Sequence, residues 1–125
     1  MQPKRILIVD DEDHIREIAG VTLELTHGWH IDAVNCGKDA IRAAIAKLPD
    51  AILLDVMMPE MHGPSTLRLL RADNRTRSIP IIFLTAKVQS ADKRNLLQLG
   101  ADGNIAKPFD PLVLGAEIAE TLQWT

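Results

Sequence analysis

The sequence predicts an α/β fold: one doubly wound, parallel five-stranded sheet with helices on both faces. Three observations lead there. The chain is 125 residues long with 46% hydrophobic content, which fits one domain and one core. Its apolar runs are short and unbroken, as in strands buried on both faces, where half-buried strands would alternate. Each run is followed by a segment of helical period, and a strict β-α alternation implies crossovers that lay helices on either side of a parallel sheet.

In chain order, Ile6-Leu7-Ile8-Val9 is the first strand. The helical stretch after it places Ile15, Ile18, Ala19, Thr22 and Leu25 on one stripe and Arg16, Glu17 and Glu24 off it, with Gly28 as the stop. His30 to Asn35 is a weaker strand, with Ile31, Ala33 and Asn35 alternating with Asp32 and Val34, and Lys38 to Leu48 the second helix. Ala51-Ile52-Leu53-Leu54 forms the third strand and Pro64 to Ala72 the third helix. Ile79 to Leu84 is the fourth strand, with Pro80 near its start, and Ser90 to Leu99 the fourth helix. Asn104-Ile105-Ala106 closes the sheet. The last helix, Pro111 to Leu122, opens with Asp110 as N-cap and Pro111 in the first helical position.

Composition narrows the function. Fourteen Lys and Arg face seventeen Asp and Glu, a formal charge of -3, so a general grip on nucleic acid or an anionic membrane is not expected. The single cysteine, Cys36, offers neither an internal disulfide nor a zinc site and points to a reducing, cytoplasmic compartment. No leader peptide is expected, and no apolar stretch of the sequence approaches the roughly 20 residues of a membrane helix. One domain spanning residues 1–125, with no output domain, is the expected organisation.

In open parallel sheets, functional groups gather beyond the carboxyl ends of the strands. There stand Asp10, Asp11, Glu12 and Asp13 after the first strand, Asp55 after the third, Thr85 after the fourth and Lys107 after the fifth. Any one of them could merely mark where a strand leaves the core. Together they form a set. Asp10, Asp11 and Asp55 would repel one another unless a hard divalent cation bridged them, and Mg²⁺ suits an open, all-oxygen site. A carboxylate can attack phosphorus once charge on the phosphoryl oxygens is neutralised. Asp55 is the expected acceptor, with Lys107 and Thr85 as donors to phosphoryl oxygens and Asp10 and Asp11 managing the metal.

Asp10-Asp11-Glu12, Asp55-Val56-Met57-Met58-Pro59 with Gly63, Thr85-Ala86, and Lys107-Pro108-Phe109 preceded by Gly100-Ala101-Asp102 occur in this order. The ordered set resembles the response-regulator receiver domain from about Arg5 to Leu122. The resemblance implies a flavodoxin-like strand order 2-1-3-4-5 and phosphorylation of Asp55 by a histidine kinase or histidine phosphotransfer protein. It also implies a place for the Met57 backbone carbonyl in the Mg²⁺ shell, a cis Lys107-Pro108 bond and an unidentified downstream protein or output domain. The expected product is a signalling conformation, so the chain is not expected to be a turnover enzyme. A haloacid-dehalogenase-like phosphatase with Asp11 as nucleophile, and a non-phosphorylated docking module, are the alternatives.

Two departures from the family pattern stand out. Asn104 occupies the position, three before the lysine, where receivers usually place an aromatic switch residue. The last helix carries Glu117 and Glu120 and no arginine, so the dimer of winged-helix regulators is not predicted. His14, His27, His30 and His62 read as surface or packing histidines, and Cys36 as inert. Arg68, Arg71, Arg75 and Arg77 read as a solvated basic face, with partner docking as the alternative. Two of Met57, Met58 and Met61 are expected to pack. Lys87, two residues beyond Thr85, is expected to influence the lifetime of a phosphorylated state.

Overall fold

The computed structural model describes residues 3–58, 61–86 and 98–124. Its elements are β1 (Arg5–Val9), α1 (Asp13–His27), β2 (His30–Val34), α2 (Gly37–Lys47), β3 (Ala51–Asp55), α3 (Gly63–Ala72), β4 (Ile81–Ala86), β5 (Gly103–Lys107) and, labelled α4, the C-terminal helix (Pro111–Thr121). The strands pair in parallel in the order β2-β1-β3-β4-β5, as the resemblance implies. The helix expected over Ser90–Leu99 lies outside the described residues except for Gln98 and Leu99, as do Pro59 and Lys87.

The unbroken apolar runs are buried on both faces because two separate cores use alternate residues of the same strands. Leu7, Val9, Ile52, Leu54, Ile81 and Phe83 face α2 and α3, where Ala40, Ala44, Leu67 and Leu70 close the first core. Ile6, Ile8, Leu53, Ile82, Leu84 and Ile105 face Ala19 and Leu23 of α1 and Leu114 and Ile118 of α4. Each fully buried Leu or Ile contributes about 1.5–3 kcal/mol.

Boundaries moved where local chemistry overrode the pattern. α1 buries Ala19 and Leu23, while Leu25 is 81% exposed, so the expected stripe is rotated. β4 starts at Ile81 because the Ile79 N–H is taken by the Thr76 carbonyl at 3.1 Å and Pro80 has no N–H to give. Gly28, at φ 67°, ends α1 as expected. The Asp110 side chain caps α4 by accepting the Leu112 N–H at 2.9 Å, with Pro111 in the first turn.

The basic face is also reassigned. Arg71 is a staple: its guanidinium donates to the carbonyls of Arg77 at 3.0 Å, Ile79 at 2.7 Å and Gly100 at 3.0 Å, and to Asp102 Oδ2 at 3.2 Å. Asp102 Oδ2 in turn accepts the Ile81 N–H at 2.8 Å, so one side chain ties the end of α3 to the starts of β4 and β5. Arg75 pairs with Asp73 on the surface, and this contact holds the Asp73 carboxyl down to about 2. Arg68 and Arg77 remain exposed.

Removing the staple leaves several carbonyls short of a donor. Arg71→Ala is expected to lower the unfolding free energy in urea by roughly 2 kcal/mol, and Arg68→Ala to change it by no more than about 0.5 kcal/mol. Equal effects of the two substitutions would contradict the assignment.

Candidate functional site

β1, β3 and β5 end at one edge of the sheet, and side-chain alternation decides what meets there. Asp10 continues the Ile6–Ile8 series, Asp55 the Ala51–Leu53 series and Lys107 the Ile105 series, all on the side facing α1 and α4. The ladder holds them in place: the Asp10 N–H reaches the Val34 carbonyl at 3.2 Å and the Val56 N–H reaches the Leu84 carbonyl at 3.1 Å. Asp10 and Asp55 are buried, at 0% and 3% exposure.

Their charges converge on one ammonium. Lys107 Nζ lies 2.6 Å from Asp10 Oδ2, 3.4 Å from Asp55 Oδ2 and 3.7 Å from Glu12 Oε1. Asp11 is exposed, yet one carboxylate oxygen from each of Asp10, Asp11 and Asp55 lies within 4.8 Å of the others. Backbone holds one oxygen of each buried carboxylate: Asp10 Oδ1 accepts the Glu12 N–H at 2.9 Å and Asp55 Oδ1 accepts the Met57 N–H at 3.2 Å.

Burial, reinforced by the Asp10 charge and the neighbouring Asp11 carboxyl, pushes the Asp55 carboxyl up to about 6, while Lys107 and the Met57 N–H partly offset it. For Lys107, burial alone would lower the pKa; the hydrogen bond and charge of Asp10, with Asp55 and Glu12 behind it, outweigh burial and raise it. The lysine is therefore a fixed positive charge among three acids, Asp10, Glu12 and Asp55.

Thr85 sits at the end of β4, one residue beyond Leu84, the register neighbour of Asp55. It is 1% exposed, and among the described residues its hydroxyl has no hydrogen-bond partner; no bond joins it to the acidic cluster. Asp55 Oδ2 likewise has no hydrogen bond. These unsatisfied oxygens, with hard carboxylate donors close together and no sulfur or imidazole among them, fit Mg²⁺ chemistry.

The loop after Asp55 folds back tightly. The Gly63 N–H bonds the Val56 carbonyl at 2.9 Å, and a Cβ on Gly63 would stand 2.5 Å from the Asp55 carbonyl oxygen, so only glycine fits. Met58 is buried and Met61 packs against Gly37, which leaves Met57, 72% exposed, at the rim. The Lys107-Pro108 peptide is cis. The four histidines go to separate neighbours: His14 to Glu12, His27 to Trp29, His30 to Asp32 and His62 to Ser65.

Two contributors escape a reading of strand ends alone. Glu12 reaches Lys107, and Arg16, placed by periodicity on the polar side of α1, turns back to the carbonyl of Asp10 at 2.8 Å. The signal for Arg16 was its place in the first helical turn, three residues after Asp13.

In metal-free protein the raised Asp55 pKa fixes the sign of a pH effect. The folded chain holds the Asp55 proton more tightly than the unfolded chain does, so this contribution is full below about pH 3.8 and is lost as pH rises through about 6. Asp55→Asn removes the buried ionisation. It is expected to be more stable than the parent at pH 7 without metal, by roughly 1–3 kcal/mol, with the gain shrinking towards pH 4. Urea unfolding at the two pH values checks it, and a gain of the same size at both would contradict the electrostatic cause.

Comparison with known proteins extends this geometry. A family model, the response regulator receiver domain, matches residues 6–119. The phosphate regulon transcriptional regulatory protein PhoB of Pseudomonas aeruginosa is 42% identical over 125 residues, covering 100% of this chain and 54% of that protein. The chain spans about half the length of the curated relatives it matches. The chemotaxis response regulator CheY4 of Vibrio cholerae superposes with a TM-score of 0.89 at 28% identity, over 96% of this chain and 99% of that one. The receiver domain of the sensor histidine kinase PA1611 from Pseudomonas aeruginosa, solved with a magnesium ion coordinated in its active-site cleft, gives 0.85 at 32% identity over 98% and 99%. A match that runs from β1 into the C-terminal helix shows that the chain belongs to the response-regulator receiver domain family.

Proposed function

We propose that this chain is the phosphoacceptor unit of a two-component phosphorelay, with Asp55 taking a phosphoryl group from a histidine kinase or histidine phosphotransfer protein. The observation that carries the reading is the state of Asp55: buried, one oxygen held by the Met57 N–H, the other without a hydrogen bond and 3.4 Å from Lys107 Nζ. An Asp55 oxygen bonds to phosphorus, the P–N bond of the donor phosphohistidine breaks, and its electron pair returns to the imidazole. Family membership leaves the phosphatase alternative, with Asp11 as nucleophile, without support.

Asp10, Asp11, Asp55 and the Met57 backbone carbonyl would hold Mg²⁺, which supplies charge neutralisation at the phosphoryl oxygens. Asp10 and Glu12 keep Lys107 beside Asp55, where its ammonium takes a phosphoryl oxygen as a point charge. Thr85, whose hydroxyl has no hydrogen-bond partner among the described residues, donates to another. The receiver acts by its phosphorylated conformation on a downstream protein or output domain, without itself contacting nucleic acid or membrane. Among the described residues, no helix is long and apolar enough to cross a membrane.

The donor needs a docking surface next to this site. α1 leads away from the acidic turn and exposes Ile18, Val21 and Leu25 at 46%, 52% and 81%; α4, packed beside it, exposes Leu112 and Val113. This apolar ridge is the proposed seat of the phosphohistidine-bearing protein.

With acetyl phosphate and Mg²⁺, a single phosphoryl group is expected on Asp55, none in Asp55→Asn, and labelling at least about tenfold slower in Lys107→Ala. Peptide mapping of the modified residue checks it; label on Asp11 would overturn the reading. Val21→Asp is expected to slow transfer from the donor protein by about tenfold or more while leaving acetyl phosphate labelling unchanged. Parallel rate measurements with the two donors separate docking from chemistry.

A further inference from the structure

We infer that Arg16 is a positioning residue for the metal-binding carboxylates, acting through the backbone of Asp10; this rests on the reading of the acidic cluster given above. Four acids in succession, Asp10 to Asp13, form the turn between β1 and α1, and nothing in their mutual charge favours the arrangement that points Asp10 and Asp11 into the same cleft. Arg16 spans that turn. Its Nη1 donates to the Asp10 carbonyl at 2.8 Å, Nη2 contacts the Asp13 carboxylate, and its own backbone N–H bonds the Glu12 carbonyl at 3.2 Å.

The side chain is only 19% exposed, low for an arginine on the first turn of a surface helix. Every polar atom of Asp10 has a neighbour: its N–H, Oδ1 and carbonyl are hydrogen-bonded to Val34, Glu12 and Arg16, and Oδ2 forms the ion pair with Lys107. Arg16 makes no contact with the carboxylates of Asp10, Asp11 or Asp55 that would bind metal. Its part is to hold the backbone from which two of them project.

Charge and position make opposite demands on Mg²⁺ binding. As a cation near the site, Arg16 repels Mg²⁺, so if charge were its only influence, removing it would tighten binding. As a clamp, it keeps Asp10 and Asp11 in place, and removing it would weaken binding. Arg16→Met keeps the length of the stem but has neither charge nor donor. Arg16→Lys keeps a charged donor for the Asp10 carbonyl.

The test is calorimetric titration of Mg²⁺ into the 125-residue chain and its variants, with metal-free thermal unfolding beside it. Arg16→Ala and Arg16→Met are expected to raise the Mg²⁺ Kd about tenfold, and Arg16→Lys to restore most of the affinity. Should Arg16→Ala not fold, the sign in Arg16→Met decides. Unchanged or tighter Mg²⁺ binding in Arg16→Met overturns the inference, as does failure of Arg16→Lys to restore what Arg16→Met lost. No Mg²⁺ binding by the parent chain overturns instead the reading of the site on which the inference rests.

Discussion

Like charges held close together at the edge of the sheet are the constraint to which the rest of this structure answers. Carboxylate oxygens of Asp10, Asp11 and Asp55 lie within 4.8 Å of one another, two of the three residues are buried, and Lys107 is the ammonium between Asp10 and Asp55. Such a set would spread apart or take up protons if its backbone could move. It cannot move far. Asp10 and Val56 are tied into the ladder through Val34 and Leu84, Gly63 presses against the Asp55 carbonyl, and both cores lie directly beneath. The strain appears as the raised pKa of Asp55, an electrostatic cost that burial imposes and that a divalent cation would relieve.

The opposite end of the molecule is built in a contrasting way. There the His27 ring lies so close to Gly115 that a Cβ would meet it at 2.3 Å, Trp29 stacks near His27 and meets Trp124 edge-on, and Lys4 sits 4.6 Å over the Trp124 ring. These contacts join the end of α1, the middle of α4, the tail after it and the entry to β1. Apolar and aromatic packing supplies stability at one end, and concentrated charge supplies chemistry at the other.

Strand identity and site composition were legible for the same reason. A strand buried on both faces reads as an unbroken apolar run, and the first polar residue after it marks the carboxyl edge; this rule alone finds Asp10, Asp55, Thr85 and Lys107. What it misses depends on partners distant in sequence. Leu25 and Ile18 fit the periodic stripe, but the helix turns Ala19 and Leu23 to the sheet instead and leaves both of them exposed. Arg71 looks like one of four surface arginines until Gly100 and Asp102, 29 and 31 residues on, supply its acceptors. Of the three methionines after Asp55, only folding shows that Met58 and Met61 have space to fill and Met57 does not. Arg16 was hidden by the assumption that a charged residue off the apolar stripe faces solvent, whereas the backbone carbonyl of a tight turn is an equally good destination.

Asn104 limits how a change at Asp55 can travel. It pairs in register with Phe83, two residues before Thr85, while Lys107 pairs with Ala86. An aromatic ring at position 104 would give the fold a bulky side chain with two alternative packings, and such bistability is what turns a small shift at a site into a large one elsewhere. Asparagine has neither the volume nor the apolar surface for that role. Phe83 is fully buried and fixed in the core shared with α2 and α3, so it does not replace the missing ring. The β4-β5 ladder, where Thr85 neighbours Ala106, is a direct backbone connection between Thr85 and the strand that carries Lys107. In this chain the two donors proposed for the phosphoryl group, Thr85 and Lys107, stand on those two paired strands, so the elements that would hold the phosphoryl group are joined by backbone hydrogen bonds and need no ring between them.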